Sequence, residues 1–118
     1  MITTFITRLF HLIRTKWIKR FECLLPTKHN DGTAIDGAIV DKTTKELCDR
    51  FAGLTLDIVH ARGFWRYQGT LYRDDLVRIR IDTSDPGAVA YLREYKQTLK
   101  HRFRQLDIWI TAHEIEII

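Results

Sequence analysis

Residues 55–83 read TLDIVHARGFWRYQGTLYRDDLVRIRIDT. Two runs rich in β-branched and aromatic residues flank Gln68-Gly69. That is the pattern of a hairpin with a two-residue turn, whose central residues need left-handed conformations. Setting Tyr67 opposite Thr70 predicts the rest of the ladder. Trp65 then faces Tyr72, Ile58 faces Ile79, Leu56 faces Ile81 and Asp57 faces Arg80. One side gathers Leu56, Ile58, Val77, Ile79 and Ile81, and the other takes the Asp57–Arg80 charge pair. A bulge is expected around Ala61-Arg62-Gly63, nearer the turn.

Helical periodicity stands on both sides of this hairpin. Asp41 is placed to cap a helix from Lys42, with Thr44, Leu47, Cys48 and Phe51 on its apolar side and Gly53 as its left-handed stop. After the hairpin, Ser84 or Asp85 caps a second helix with Pro86 in its first turn. Ala88, Leu92, Tyr95, Leu99 and Phe103 form its buried stripe, and it runs to about Arg104.

Further out, residues 18–26 alternate Phe21, Cys23 and Leu25 with Arg20, Glu22 and Leu24, which is a strand ended by Pro26. KHNDGTAIDG, residues 28–37, is turn chemistry. A last strand alternates Ile108, Ile110 and Ala112 with Trp109, Thr111 and His113, and Ile115 to Ile118 extend it. The order is β-α-β-β-α-β. Two helices must cover one face of a four-stranded antiparallel sheet, with the first strand between the third and the last. This predicts a ferredoxin-like α+β sandwich.

Ahead of it, Ile2, Phe5, Ile6, Leu9, Phe10, Ile13 and Trp17 recur at steps of three and four, so residues 2–17 are predicted as an amphipathic helix. The division expected is 1–17 for that helix and 18–118 for the domain. The chain's 118 residues suffice for one core. Its net charge of +4 is unevenly spread. Residues 1–30 hold Arg8, Arg14, Lys16, Lys19, Arg20 and Lys28 against Glu22, or +5, which leaves −1 for the remainder. The basic character belongs to the N-terminal quarter.

Composition excludes several classes. Two cysteines, Cys23 and Cys48, make neither a disulfide scaffold nor a four-cysteine zinc site, and both are expected as small buried thiols. No uninterrupted apolar run is long enough to span a bilayer. Arg8, His11 and Arg14 break any signal-peptide core, so a cytoplasmic location is expected. Phosphate-binding, dinucleotide, nucleophile-elbow and zinc-protease motifs are missing, and His113-Glu114-Ile115-Glu116 lacks the second histidine of a metal site. No catalytic residue, metal or cofactor is expected.

The candidate binding residues are aromatic and basic. His60, Arg62, Trp65, Arg66, Tyr67 and Tyr72 crowd one end of the sheet. Arg78, Arg80 and Trp109 belong to the face opposite the helices. Such composition serves protein interfaces, stacking surfaces and anion pockets alike. An RNA-recognition domain of this topology needs glycine and exposed aromatics on its third strand. Leu76-Val77-Arg78-Ile79-Arg80-Ile81 has neither, so nucleic acid is not the expected partner. Phe5, Leu9, Phe10 and Ile13, flanked by Arg8 and Arg14, have the composition of a helix that contacts a membrane surface or a partner.

From Arg50 onward the chain resembles a bacterial family of small domains of unknown function. The matching stretches are Arg50-Phe51-Ala52-Gly53-Leu54-Thr55, Gly63-Phe64-Trp65-Arg66, Gly69-Thr70-Leu71-Tyr72-Arg73, Tyr95-Lys96 and Arg102-Phe103-Arg104-Gln105. The resemblance implies a compact α+β domain and brings no catalytic residues with it.

Together these features predict a non-enzymatic protein that self-associates, as a homodimer or larger homo-oligomer, or binds a protein partner through its open sheet face and aromatic hairpin. One alternative is a small-molecule enzyme or sensor of the dimeric α/β-barrel type. There Arg62, Arg66 or Arg73 would line a pocket between sheet and helices, with His60 as proton acceptor. The other is membrane-surface attachment through the basic N-terminal helix.

Overall fold

The computed structural model describes residues 17–52 and 54–118, with the backbone alone for 57–62 and 74. The helix expected over 2–17, with Phe5, Arg8, Leu9, Phe10, Ile13 and Arg14, lies outside the described residues, as does Gly53. Trp17 is described and belongs to a strand.

The elements are β1 (Trp17–Pro26), α1 (Gly37–Phe51), β2 (Thr55–Tyr67), β3 (Thr70–Thr83), α2 (Ala88–Arg102) and β4 (Trp109–Glu116). The strands form one antiparallel sheet in the order β2-β3-β1-β4. That is the ferredoxin-like arrangement, with β1 between β3 and β4. The period-two pattern decides which side faces the helices. Phe21, Cys23 and Leu25 of β1, with Ile79 and Ile81 of β3, form a core with Leu47 of α1, Leu92 and Leu99 of α2, and Phe103 just after it. Leu25, Ile79, Leu99 and Phe103 are fully buried, each worth about 1.5–3 kcal/mol in apolar surface removed from water.

Helix α1 starts earlier than its pattern predicts. Asp36, not Asp41, is the cap: its carboxylate accepts from the Ala38 amide at 3.0 Å. Ile35 is buried just ahead of that cap and fixes where the chain enters the helix. The left-handed residue at the other end is Ala52, φ 62°, whose amide donates to the Cys48 carbonyl. Cys23 is buried as expected, whereas Cys48 is only half-buried. In α2, Asp85 caps the turn that leads into the helix, accepting from the Gly87 amide at 2.7 Å, and the helix proper begins at Ala88. Arg50 joins the two helices, meeting Asp85 at 2.6 Å while lying over the rings of Phe51 and Tyr91.

The hairpin follows its predicted register only near the turn. Trp65 opposes Tyr72 and Tyr67 opposes Thr70, as the turn dictates. Further down, Leu56 opposes Ile79 and Asp57 opposes Arg78, in place of Ile81 and Arg80. Between Asp57 and Ala61, three residues of β2 stand opposite Val77 alone. The break is therefore at 58–60 and not at 61–63. An insertion of two residues preserves the alternation of faces, so the hydrophobic pattern fits both registers equally.

Candidate functional site

β1 stops pairing with β3 at Pro26–Leu76. Beyond that point β2 and β3 continue without a third strand among the described residues, from Gly63–Asp74 to Tyr67–Thr70. The result is a two-stranded arm, five residues on each side and about 17 Å long at roughly 3.3 Å per residue. Gln68 and Gly69 close it with φ of 49° and 80°, both left-handed, which matches the twist of the strands. The loop at the foot of the arm is tied down by Thr27, whose amide and hydroxyl both donate to the Asp75 carbonyl, at 2.9 and 3.1 Å.

Both faces of the arm carry apolar groups. Trp65 and Tyr72 are cross-strand neighbours on the side away from the helices and stack at 4.6 Å between centroids, with Tyr67 beside Trp65. Phe64 and Leu71 alternate onto the other side and are 62% and 56% exposed. Arg66 and Arg73 share that side and are exposed.

At the foot of the arm, on the open face of the sheet, lies a groove of about 410 Å³. Leu24, Pro26, Leu76, Trp65 and Trp109 line it from the open face, together with Ile108 and the β2 segment at Phe64. Gly63 lines it too. A methyl group there would come within 3.3 Å of the Leu76 side chain, so any larger residue would press into the groove. The polar groups at its rim are Gln105 and Asp107. Lys96 meets Asp107 at 2.9 Å and holds its carboxyl below the ordinary value, helped by the Ile108 amide. Trp109 is 65% exposed.

The middle of the open face is polar and internally paired. Arg20 makes a two-pronged contact with Asp82, at 2.8 and 3.0 Å. Arg80 meets Glu22 of β1 at 3.6 Å. Arg78 lies between Leu24 of β1 and Asp57 of β2 in the ladder. The structure thus brings Trp65, Tyr67, Tyr72 and Trp109 to one end of the open face, and puts Arg66 on the opposite side of the arm. The side chains of His60 and Arg62 lie outside the described residues.

Leu24, Pro26, Leu76, Phe64, Gln105 and Asp107 complete the groove, and sequence reasoning did not single them out. Leu24 and Leu76 carried a signal: they are apolar at positions whose strand neighbours on the same face are charged. The space between sheet and helices is filled by Leu25, Ile79, Leu99 and Phe103, so the concavity lies on the other side of the sheet from the pocket envisaged for an enzyme.

The fold and groove define a small ferredoxin-like α+β domain with a projecting arm. No family model and no curated protein matches the sequence. Solved structures match its fold. A phage SAM lyase in the apo state is similar with a TM-score of 0.61 and 13% identity, over 87% of this chain and 92% of that one. The phage SAM lyase in complex with S-methyl-5'-thioadenosine gives 0.59 and 14%, over 85% and 90%. CutA1 from Pyrococcus horikoshii OT3 gives 0.55 and 18%, over 85% of each chain. At these identities the likeness is one of fold. Among the described residues no helix is long and apolar enough to cross a membrane.

Proposed function

We propose that this protein is a non-enzymatic self-association module, and that the arm and the groove at its foot make the contact with a second copy. The observation that supports this is the arm itself. A two-stranded ribbon in water is marginal at best, and this one presents Phe64 and Leu71 on one side and the Trp65–Tyr72 stack on the other. Apolar surface on both sides of an unsupported ribbon calls for a cover. The groove offers apolar walls of matching character, with exposed Trp109 at its edge. Aromatic anchors of this kind dominate the energetics of protein contacts.

Sedimentation equilibrium tests the proposal. The full chain is expected to sediment as a multiple of 14.0 kDa at micromolar concentration. Phe64→Glu and Trp109→Glu, both at exposed positions, are expected to shift it toward 14.0 kDa with unchanged circular dichroism. A wild-type chain of 14.0 kDa at about 100 μM, far above the Kd of ordinary specific complexes, overturns it.

A second reading has its own observation. The groove volume lies in the range of small-molecule sites, and its aromatic walls with Gln105 and Asp107 at the rim suit a planar heteroaromatic ligand. One structural neighbour holds S-methyl-5'-thioadenosine. Titration with that compound is expected to quench tryptophan fluorescence through Trp65 and Trp109, and no change up to about 1 mM, the weak end of the affinity scale, removes this reading.

A further inference from the structure

We infer that the arm of one copy adds as a strand to the free edge of β4 in the next copy, antiparallel to it, so that the sheet continues from subunit to subunit. This rests on the self-association proposed above and specifies its geometry.

Among the described strands, the two edges of the sheet are β2 and β4. β4 is eight residues long, has no proline, and pairs with β1 in one unbroken register from Trp17–Glu116 to Leu24–Trp109. Its other side is a regular row of backbone donors and acceptors. An edge that long and that regular is a template for another strand. The matching edge is that of β2 along the arm, Gly63 to Tyr67, beyond the bulge that disturbs its lower half.

Geometry then fixes the faces. Placing the β2 edge of one sheet beside the β4 edge of another, with both helical layers on the same side, makes the two strands antiparallel. The parallel alternative puts the helical layers on opposite sides. In the antiparallel arrangement the side of the arm that carries Arg66, with Arg73 one strand behind it, meets the side of β4 that carries Glu114 and Glu116. None of these four makes an ion pair with another described residue, and all four are exposed. In the register that sets Arg66 opposite Glu114, and Phe64 opposite Glu116 with Arg73 behind it, Tyr67 falls opposite His113 and Trp65 opposite Ile115 on the other face. Two cations then meet two anions on one face. The parallel arrangement puts Arg66 and the two glutamates on opposite faces. Because the contact joins two different patches, it repeats head to tail, and it closes as a ring where the rotation per step allows.

Charge exchange tests this. Arg66→Glu with Arg73→Glu gives a chain whose arm and edge are both acidic. Glu114→Arg with Glu116→Arg gives one whose arm and edge are both basic. Each alone is expected to associate roughly tenfold or more weakly than wild type, as two attractive pairs become repulsive. Mixed in equal amounts, they are expected to associate again with each other, because each arm then meets an edge of opposite charge. Hydrogen exchange on the wild type gives a second readout: amides within Trp109–Glu116 are expected to gain protection with protein concentration. If both variants keep the wild-type mass and β4 exchange is independent of concentration, this geometry is wrong while self-association stands. If the variants do not fold, the exchange result decides alone. A wild type that is monomeric throughout overturns both proposals.

Discussion

Arg102, in the last turn of α2, grips both carboxylate oxygens of Glu46 in α1. Its other terminal nitrogen donates to the Thr43 hydroxyl at 3.0 Å and to the Tyr95 hydroxyl at 3.2 Å. The Arg102 side chain is only 15% exposed, and Thr43 is fully buried. The cluster therefore joins the two helices above the sheet, and burial pushes Tyr95 up to about 12.

Arg102→Ala is expected to lower unfolding stability by about 2–3 kcal/mol, since it leaves a half-buried carboxylate and a buried hydroxyl without their donor. Glu46→Gln keeps one acceptor and is expected to cost about 1 kcal/mol. Urea denaturation measures both. Equal effects from the two substitutions would show that the charge, and not the donor geometry, carries the contact.

Ala52 occupies the left-handed region at the end of α1, φ 62°. A side chain there costs roughly 1 kcal/mol relative to glycine. Ala52→Gly is accordingly expected to raise stability by about 0.5–1 kcal/mol, and the thermal midpoint by a few degrees. Ala52→Val is expected to lower both. Calorimetry of the three proteins orders them.

The two thiols are expected to differ in reactivity. Burial pushes Cys23 up to about 12, and the thiolate is the reactive form. Cys48 is half-buried. A disulfide reagent at pH 8 should titrate one thiol rapidly in the native protein and both after denaturation. Rapid reaction of Cys23 in the Cys48→Ala variant would show that the core around β1 opens easily.

Acid is expected to destabilise the fold. The Arg20 guanidinium holds Asp82 below the ordinary 3.8, and Arg50 with the Gly87 amide does the same for Asp85. A carboxyl whose folded value lies below its unfolded value binds protons more tightly in the unfolded chain. Its contribution is complete above about 3.8 and is lost as pH falls through the lower folded value. Stability should be flat near neutrality and should decline below about pH 4, more shallowly for Asp82→Asn. A decline of unchanged steepness in that variant would assign the acid sensitivity to the other carboxylates.

The strand order was legible from the alternation of periods along the chain, because a β-α-β-β-α-β order with two covering helices leaves few connections that do not cross. The arm's register was legible from Gln68-Gly69 and the Trp65–Tyr72 pair. The pairing of Leu56 with Ile79 was not. A slip of one residue turns every side chain over and is betrayed by the pattern, whereas a slip of two changes no face. The start of α1 was hidden similarly, since Asp36 and Asp41 are both acceptable caps and only the burial of Ile35 chooses between them.

The candidate site divides the same way. Local sequence determined the aromatic character of the hairpin and put Trp109 on the open face, because alternation is a property of the strand alone. It determined equally that the excess positive charge lies in the first 30 residues and not in the remainder of the chain. Pro26 already marked the end of β1, but only the tertiary structure decided that β2 and β3 outrun it and so free the arm, that Arg80 faces Glu22, and that Leu24, Leu76, Trp65 and Trp109 line one groove. Those facts depend on where three strands and the loop before β4 end relative to one another. That is a matter of lengths and register across segments far apart in sequence, and no local pattern encodes it.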